Sequence, residues 1–182
     1  MDQPSIAAGW LTLRPFAVTD ISWVFEVSQD AAIQHFVSVP SPYQVDDAAF
    51  FVEQAAIEGW RSQRRAEFLV ADSVSRRRLG RVGLGLDGTG MAEIGYWMDP
   101  AARRQGVATH SVLALCQWAF RDLGVEIITW RTEAGNLASR RVAEKAGFLI
   151  EATLRKRLIH RGQRVDIWVG SLLSGELPPL HP

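Results

Sequence analysis

One stretch restricts the fold of this chain more than any other: a strand-like run leads through a short loop into an amphipathic helix. The run Met91–Met98 is followed by the loop 99–105, and a helical apolar pattern begins at Gly106. The first turn of a helix leaves backbone N–H groups unpaired and carries partial positive charge, so this junction favours an anion, phosphate above all. Gly106 lets the backbone approach a ligand closely. Arg103 and Arg104 add charge and donors suited to a diphosphate.

The composition predicts one globular domain over residues 1–182, with a loose tail at 175–182. Apolar residues make up 47% of the chain, and 20 basic residues balance 20 acidic ones. A net charge of zero argues against nucleic-acid binding driven by a positive field. The single cysteine suits a reducing compartment, and no apolar run reaches the ~20 residues of a membrane span. We expect a soluble cytoplasmic protein.

The remaining pattern predicts short strands and helices in the order β-α-α-β-β-β-α-β-α-β-β. Thr19 or Asp20 would cap a helix that ends near residues 30–32, and Asp46 or Asp47 would begin a second one after the loop 37–44. This order predicts an α+β fold with a mostly antiparallel sheet and a central β-α-β crossover.

Other motifs in the sequence indicate no chemistry. The run 83–88 has G-x-G-x-x-G spacing but leads into a strand, so we reject a dinucleotide site. The four histidines share no metal-ligand spacing, and we expect no metal. Cys116 lies on an apolar stripe and is expected in the core.

An ordered set of motifs resembles the GNAT superfamily of N-acyltransferases. Arg103-x-x-Gly106-x-Ala108 matches its (Q/R)-x-x-G-x-(G/A) signature, and Asn136-x-x-Ser139 followed by residues 144–148 resembles its second signature. Residues 11–15 and 162–166 resemble the RimJ/RimL-like branch in particular, which includes enzymes that acetylate protein N-termini. The matches run in order from residue 10 to about 172.

The resemblance implies a fold with helices on both faces of the sheet and acetyl-CoA as co-substrate. The pantetheine arm would lie between two splayed parallel strands, Met91–Met98 and 126–131, where Trp97 and Met98 contribute backbone groups. The diphosphate would lie on the backbone amides of residues 104–109, and Asn136 would reach the pantetheine. The residues expected to bind acetyl-CoA are Trp97, Met98, Arg103, Arg104, Gln105, Gly106, Val107, Ala108, Thr109, Asn136 and Ser139.

The same resemblance nominates two catalytic residues. Glu93 corresponds to a position that serves as base in some members, and partial burial there would suit the task. Ser139 would act as acid or only orient the sulfur, because Ala143 stands where many members carry the acidic tyrosine. Plainer interpretations stay open: Glu93 as a solvent-facing strand residue, and Asn136 as a helix N-cap.

The resemblance further implies that the acceptor enters from the side opposite the CoA. That side would be lined by His35, Phe36, Tyr43, His160 and Asp166, together with the loop 37–44. We expect acetyl transfer to a primary amine, such as a protein or peptide N-terminus. The alternatives are a small-molecule amine acetyltransferase and a non-catalytic acyl-CoA sensor, the latter suggested by Ala143. The sequence leaves open the acceptor, the acyl length, and whether the protein is a monomer or a homodimer.

Overall fold

A computed structural model describes residues 2–178, and its central element is an eight-stranded sheet. Of the expected tail at 175–182, residues 179–182 lie outside the described residues. The strands are β1 Ile6–Ala8, β2 Leu11–Pro15, β3 Arg65–Asp72, β4 Arg78–Leu86, β5 Met91–Met98, β6 Ile127–Glu133, β7 Leu149–His160 and β8 Gln163–Leu173.

The strand order in the sheet is β1-β2-β3-β4-β5-β6-β8-β7. Every neighbouring pair is antiparallel except β5 and β6, which are parallel because a helix crosses between them. The predicted α+β class and its central crossover are confirmed.

Five helices pack on the sheet, and within residues 2–178 none of them is long and apolar enough to cross a membrane. They are α1 Ile21–Val27, α2 Ala31–Phe36, α3 over residues 45–61, α4 Val107–Asp122 and α5 Leu137–Lys145. In α3, a π-helical segment, Phe51–Glu58, lies between two α-helical ones.

Two elements were not predicted from the sequence. β1 is a three-residue strand that joins β2 through a turn at Gly9, too short to show a recognisable alternation. The helix expected to end near residues 30–32 ends at Val27, and a new helix begins at Ala31. Asp30 starts that second helix, because its carboxylate accepts the N–H groups of Ala32 and Ile33.

Asp20 is the N-cap residue of α1, as expected, but it makes no side-chain hydrogen bond to that helix. Its buried carboxylate instead accepts hydrogen bonds from Arg14, from Arg78 and from the N–H of Ala17. The two arginines reach Asp20 only once β2 and β4 are in place.

Each face of the sheet has its own apolar core, with helices on both faces as expected. Val112, Leu115 and other residues of α4 pack against Phe68 and Val82 on one face. Val24 of α1 and the Ala48, Val52 and Ala56 side chains of α3 pack against the other face. Alternate residues of a strand point to opposite faces, so β3 contributes to both cores, with Phe68 and Val70 in the first and Leu69 and Ala71 in the second.

The parallel pair separates partway along its length. β5 and β6 are in register only from Met91 opposite Ile127 to Ile94 opposite Trp130. Beyond that point β5 continues to Met98 beside β4, and β6 continues to Glu133 beside β8. The expected splay is present, and backbone groups along its inner edges lack a strand partner.

Candidate functional site

A large cleft, about 1950 Å³ in volume, connects the splay to both faces of the sheet. The first turn of α4 and residues of α5 line it on one side. Residues of α2 and α3 and the end of the β7–β8 hairpin line it on the other. A long ligand can therefore reach from the α4 end through the splay to a second molecule on the far side.

The N-terminal turn of α4 offers unpaired N–H groups. In the described part of the chain, backbone donors from residue 104 to 109 have no acceptor, and the first bond of the helix is His110 N–H to Gly106 C=O at 3.0 Å. Gly106 is the N-cap in a left-handed conformation with φ +80°, and it has no side chain to cap the turn. The turn therefore keeps its donors for an outside anion, as the sequence predicts.

Arg103, expected to supply charge to this anion, lines the cleft but is paired with an acidic side chain of the protein. Its guanidinium is bound to Asp30 at 2.5 Å, and its Nε–H reaches the carbonyl of Met98 at 3.3 Å. The Arg103 hydrogen bond lowers the pKa of Asp30. Arg103 therefore ties the loop before α4 to the start of α2.

The other two loop residues differ from each other. The Gln105 side chain donates to the carbonyl of Ala101 at 2.7 Å and does not line the cleft. Arg104 lines the cleft with a positive φ of 62°, and its guanidinium forms no ion pair or hydrogen bond with any described residue. Arg104 is the loop cation that remains available to a diphosphate.

All of the remaining residues expected at acetyl-CoA line the cleft. They are Trp97, Met98, Gly106, Val107, Ala108, Thr109, Asn136 and Ser139. Asn136 does cap α5, since its Oδ1 accepts the Ser139 N–H at 3.1 Å. Its amide nitrogen donates to Thr132 at 3.1 Å, so the side chain is held in place at the edge of the splay.

Ser139 belongs to a polar network that sequence reasoning missed. The Tyr96 hydroxyl lies 2.8 Å from the Ser139 carbonyl oxygen and 3.1 Å from the Ser139 Oγ. The Trp130 Nε1–H donates to the same Oγ at 3.1 Å. Tyr96 lies on β5, Trp130 on β6 and Ser139 on α5, so only the assembled fold brings them together.

Glu93 lies on the opposite face of β5 from Tyr96, as strand alternation requires. Its side chain is 46% exposed and pairs with Arg131 at 2.9 Å. Glu93 is thus a half-exposed strand residue, and the sheet face around it borders the open cleft. Glu93 and Arg131 both line that cleft, so the Glu93 carboxylate is accessible to a molecule that enters it.

The structure places the five residues expected at the acceptor in different environments. Phe36, Tyr43 and His160 line the cleft. His35 does not, but its ring packs against Phe36 and lies 6.0 Å from the His160 ring. Asp166 also lies outside the lining, and its carboxylate accepts the N–H of Lys156 at 2.9 Å, which supports an irregularity in β7.

A buried ion pair on the same face as Glu93 was not predicted. Glu67 is fully buried and accepts two hydrogen bonds from Arg81, at 2.6 and 2.5 Å. Gly83 lies opposite Glu67 in the sheet, and a Cβ there would come within 2.0 Å of the carboxylate. Gly83, the first glycine of the rejected G-x-G-x-x-G motif, thus makes room for this pair.

Two further expectations concern groups away from the cleft. Burial raises the pKa of the Cys116 thiol, so this cysteine stays a protonated core residue as expected. Across residues 2–178, no three His, Cys, Asp or Glu side chains could share a metal ion.

Comparison with known proteins gives a family match and a fold match. A family model described as an acetyltransferase (GNAT) domain matches residues 11–149. YdaF of Bacillus subtilis, whose name assigns it provisionally to the ribosomal N-acetyltransferases, is 35% identical over 85 residues. That match covers 47% of this chain and spans less than half of YdaF, 46% of its length.

Two solved structures share the fold over nearly their whole length. RimL, the ribosomal L7/L12 alpha-N-protein acetyltransferase in complex with coenzyme A, superposes with a TM-score of 0.85 at 19% identity, covering 93% of this chain and 98% of RimL. Mycobacterium smegmatis RimJ, in complex with CoA-disulfide, gives 0.84 at 19% identity over 98% of this chain and 91% of RimJ. The family match covers most of the chain and this fold agrees with it: the chain belongs to the GNAT family of acetyltransferases.

Proposed function

We propose that this protein transfers an acetyl group from acetyl-CoA to a primary amine, by direct attack of the amine on the thioester. One observation carries the proposal: a helix turn with unpaired N–H groups opens into a cleft that runs through a splayed parallel strand pair. This arrangement suits a ligand with a diphosphate at one end and a long amide-containing arm at the other.

The residues present fit acetyl-CoA. The N–H groups of residues 104–109 would hold the diphosphate, with the Arg104 guanidinium beside them. Backbone groups of Trp97 and Met98, on the edge that β6 leaves, would pair with the amides of the arm. Asn136, already oriented by Thr132, would support the arm near its end.

Bound acetyl-CoA supplies an activated acyl group, and the chain must supply a neutral amine and stabilise the departing sulfur. Glu93 would accept the proton of the amine, directly or through water, because its carboxylate is exposed on the acceptor side of the splay. Ser139 would contact the sulfur from the other side of the sheet. Ala143 is buried and has no acidic group, so it cannot protonate or contact the departing sulfur.

We propose a protein or peptide N-terminus as the acceptor. The cleft is open on the side where Phe36, Tyr43 and His160 line it, which gives an extended chain room to enter. The names of RimL and YdaF refer to ribosomal proteins, and this agrees with a peptide acceptor.

The test measures thiol release from acetyl-CoA with a panel of N-terminal peptides, amino acids and polyamines, with mass spectrometry to locate the acetyl group. Acetylated peptide N-termini are the expected product. Turnover with small amines alone would show that the acceptor is a small molecule and not a peptide N-terminus. Binding of acetyl-CoA without any turnover would indicate a sensor, and failure to bind any CoA thioester would overturn the whole proposal.

Replacing Gly106 tests the anion site separately from catalysis. Gly106→Ala adds a methyl group at a residue that lines the cleft and strains a backbone with φ +80°. We expect the Kd for acetyl-CoA, measured by calorimetry, to rise about tenfold, a loss of about 1.4 kcal/mol of binding free energy.

Gly124→Ala is the matched control for this variant. Gly124 lies just after the same helix with φ +66°, and a Cβ there would have no neighbour within 4 Å. It carries similar backbone strain outside the cleft lining, so its affinity should equal that of wild type. Equal affinities for all three proteins would place the diphosphate elsewhere.

A further inference from the structure

Two buried side-chain atoms have no hydrogen-bond partner among the described residues, and both belong to side chains that line the cleft. They are Oε2 of Glu133, at the end of β6, and Nε2 of His160, at the end of β7. Buried polar atoms in folded proteins are normally hydrogen-bonded, because an unmade bond leaves the cost of removing the group from water uncompensated. These two atoms therefore mark a part of the cleft where a bound molecule would supply the missing partners.

Glu133 lies on the same face of the sheet as Glu93. Thr129 of β6 is opposite Glu93 in the parallel register, and strand alternation places Arg131 and Glu133 on that face as well. Ile167 of β8 is opposite Glu133 and also lines the cleft. Glu133 is therefore on the side of the splay where the proposed acceptor enters.

The carboxylate of Glu133 is held in place but is not neutralised by the protein. The backbone is fixed, because Glu133 pairs with Ile167 and its carbonyl oxygen accepts the Asn136 N–H at 3.1 Å. No described Lys, Arg or His side chain forms an ion pair with Glu133. A partly buried carboxylate without a cation favours a ligand that brings one.

The position of Glu133 along β6 separates it from the reacting amine at Glu93. Glu133 is four residues beyond Thr129, which corresponds to roughly 13 Å along a strand. Arg131 lies between the two glutamates on this face and is bound to Glu93 at 2.9 Å. A group that binds Glu133 therefore belongs to a more distant part of the acceptor. In an extended peptide, which spans about 3.3–3.6 Å per residue, that part is the side chain of one of the first residues after the N-terminal one.

We propose that Glu133 binds a second positively charged group of the acceptor, namely a lysine or arginine side chain at the second, third or fourth position of an N-terminal peptide. This inference rests on the proposed function. Rotation of the carboxylate about its terminal bond brings either oxygen toward the cleft. A charge-assisted hydrogen bond from an ammonium or guanidinium group then satisfies the buried oxygen. His160 offers the same peptide a further polar contact through its unpartnered Nε2.

The test compares short peptides that carry lysine or norleucine at the second, third or fourth position, since norleucine has a similar chain without the charge. Peptide binding is measured by calorimetry with coenzyme A present, and kcat/KM is measured for acetyl transfer. At one of the positions we expect wild type to favour lysine about tenfold in both quantities. Glu133→Gln should lose this preference, because glutamine keeps the shape and removes the charge. Its affinity for acetyl-CoA should equal that of wild type, which also shows that the variant is folded.

Glu58→Gln is the matched control. Glu58 on α3 also lines the cleft, but its carboxylate is paired with Arg61 at 3.6 Å. The substitution removes the same charge from the same cleft, so the preference for lysine should stay about tenfold. Loss of the preference in both variants would overturn the inference, because the overall charge of the cleft would then select the acceptor.

The remaining outcomes separate this inference from the proposed function. Equal binding of lysine and norleucine peptides to wild type would overturn the inference even if those peptides are acetylated. Weaker binding of acetyl-CoA to Glu133→Gln, with the lysine preference kept, would also overturn it and assign Glu133 to the arm of coenzyme A. Lysine-dependent binding that Glu133→Gln abolishes, without any acetyl transfer, would overturn the proposed function and support the inference. Failure of wild type to bind any peptide would overturn both the inference and the peptide acceptor.

Discussion

Glu93 is held by a single partner at the edge of the splay. Arg131 lies 2.9 Å from its carboxylate, and both side chains are about half exposed. An exposed pair of this kind contributes little to stability, so the pair can open without cost to the fold. Its effect is to orient the carboxylate along the cleft, where an amine would approach.

Replacing Glu93 tests its role as base. Glu93→Gln keeps the shape and removes the proton acceptor, so turnover should fall at least tenfold and its dependence on pH should change. The affinity for acetyl-CoA should stay the same. The measurement is kcat and KM over a range of pH, with acetyl-CoA binding by calorimetry.

The matched control is Glu144→Gln on α5. Glu144 is also about half exposed, and it pairs with Arg140 at 2.8 Å, outside the cleft lining. Its kinetics should be those of wild type. If Glu93→Gln behaved in the same way, the assignment of the base would be wrong.

At the scale of the elements, strands β3 and β4 are joined by a polar contact inside an apolar face. The Glu67 carboxylate and the Arg81 guanidinium lie across Gly83 and Gly95, where any side chain would collide with them. Phe51 of α3 lies 5.9 Å from the Arg81 guanidinium carbon. Burying the pair requires both partners and the space that the glycines leave.

Gly83→Ala should therefore be strongly destabilising. Its Cβ would lie 2.0 Å from the Glu67 carboxylate and would displace the buried charge from Arg81. We expect the free energy of unfolding, from denaturant titration, to fall by about 3 kcal/mol.

Gly85→Ala, two residues along β4, is the comparison. Its Cβ would have only one neighbour, the Glu93 carbonyl oxygen at 3.9 Å. Alanine is normally the better residue in a strand, so stability should be unchanged or slightly higher. Equal losses in the two variants would mean that backbone flexibility, and not the ion pair, explains Gly83.

At the scale of the whole molecule, one buried carboxylate connects distant segments. Asp20, before α1, accepts hydrogen bonds from Arg14 on β2 and from Arg78 on β4. Burial alone would raise the pKa of Asp20, but these bonds and the one from the Ala17 N–H lower it to about 2 from 3.8. The lowered pKa means that ionised Asp20 stabilises the fold.

This stabilisation has a defined pH dependence. It is fully present above the unfolded pKa near 3.8 and is lost as the pH falls through about 2. Asp20→Asn should cost about 2 kcal/mol of unfolding free energy at pH 7, and the difference from wild type should shrink between pH ~5 and ~2. Unfolding by denaturant at several pH values measures it.

Asp122→Asn provides the control for an exposed pair. Asp122 bonds Arg121 at the surface, at 2.7 Å, and solvent screens this contact. It should change stability little at any pH. A difference between Asp20→Asn and wild type that did not depend on pH would show that packing, and not charge, gives Asp20 its effect.

The sequence by itself determined the local parts of this protein. The strand–loop–helix junction with its turn at Gly106 and the Asn136 cap were both predicted correctly. So were most strands and the predicted fold class. Each of these depends on periodicity, capping or backbone conformation within a few consecutive residues, and those signals can be read without the fold.

Only the tertiary structure decided which side chains meet. Arg103 reaches Asp30, Tyr96 reaches Ser139 and Arg81 reaches Glu67, each pair from different elements. Such contacts depend on strand register and on where helices rest on the sheet, and a slip of one residue would turn each strand side chain to the opposite face. For this reason the motif indicates an anion site, while the fold decides that Arg104, and not Arg103, is the cation left free at that site.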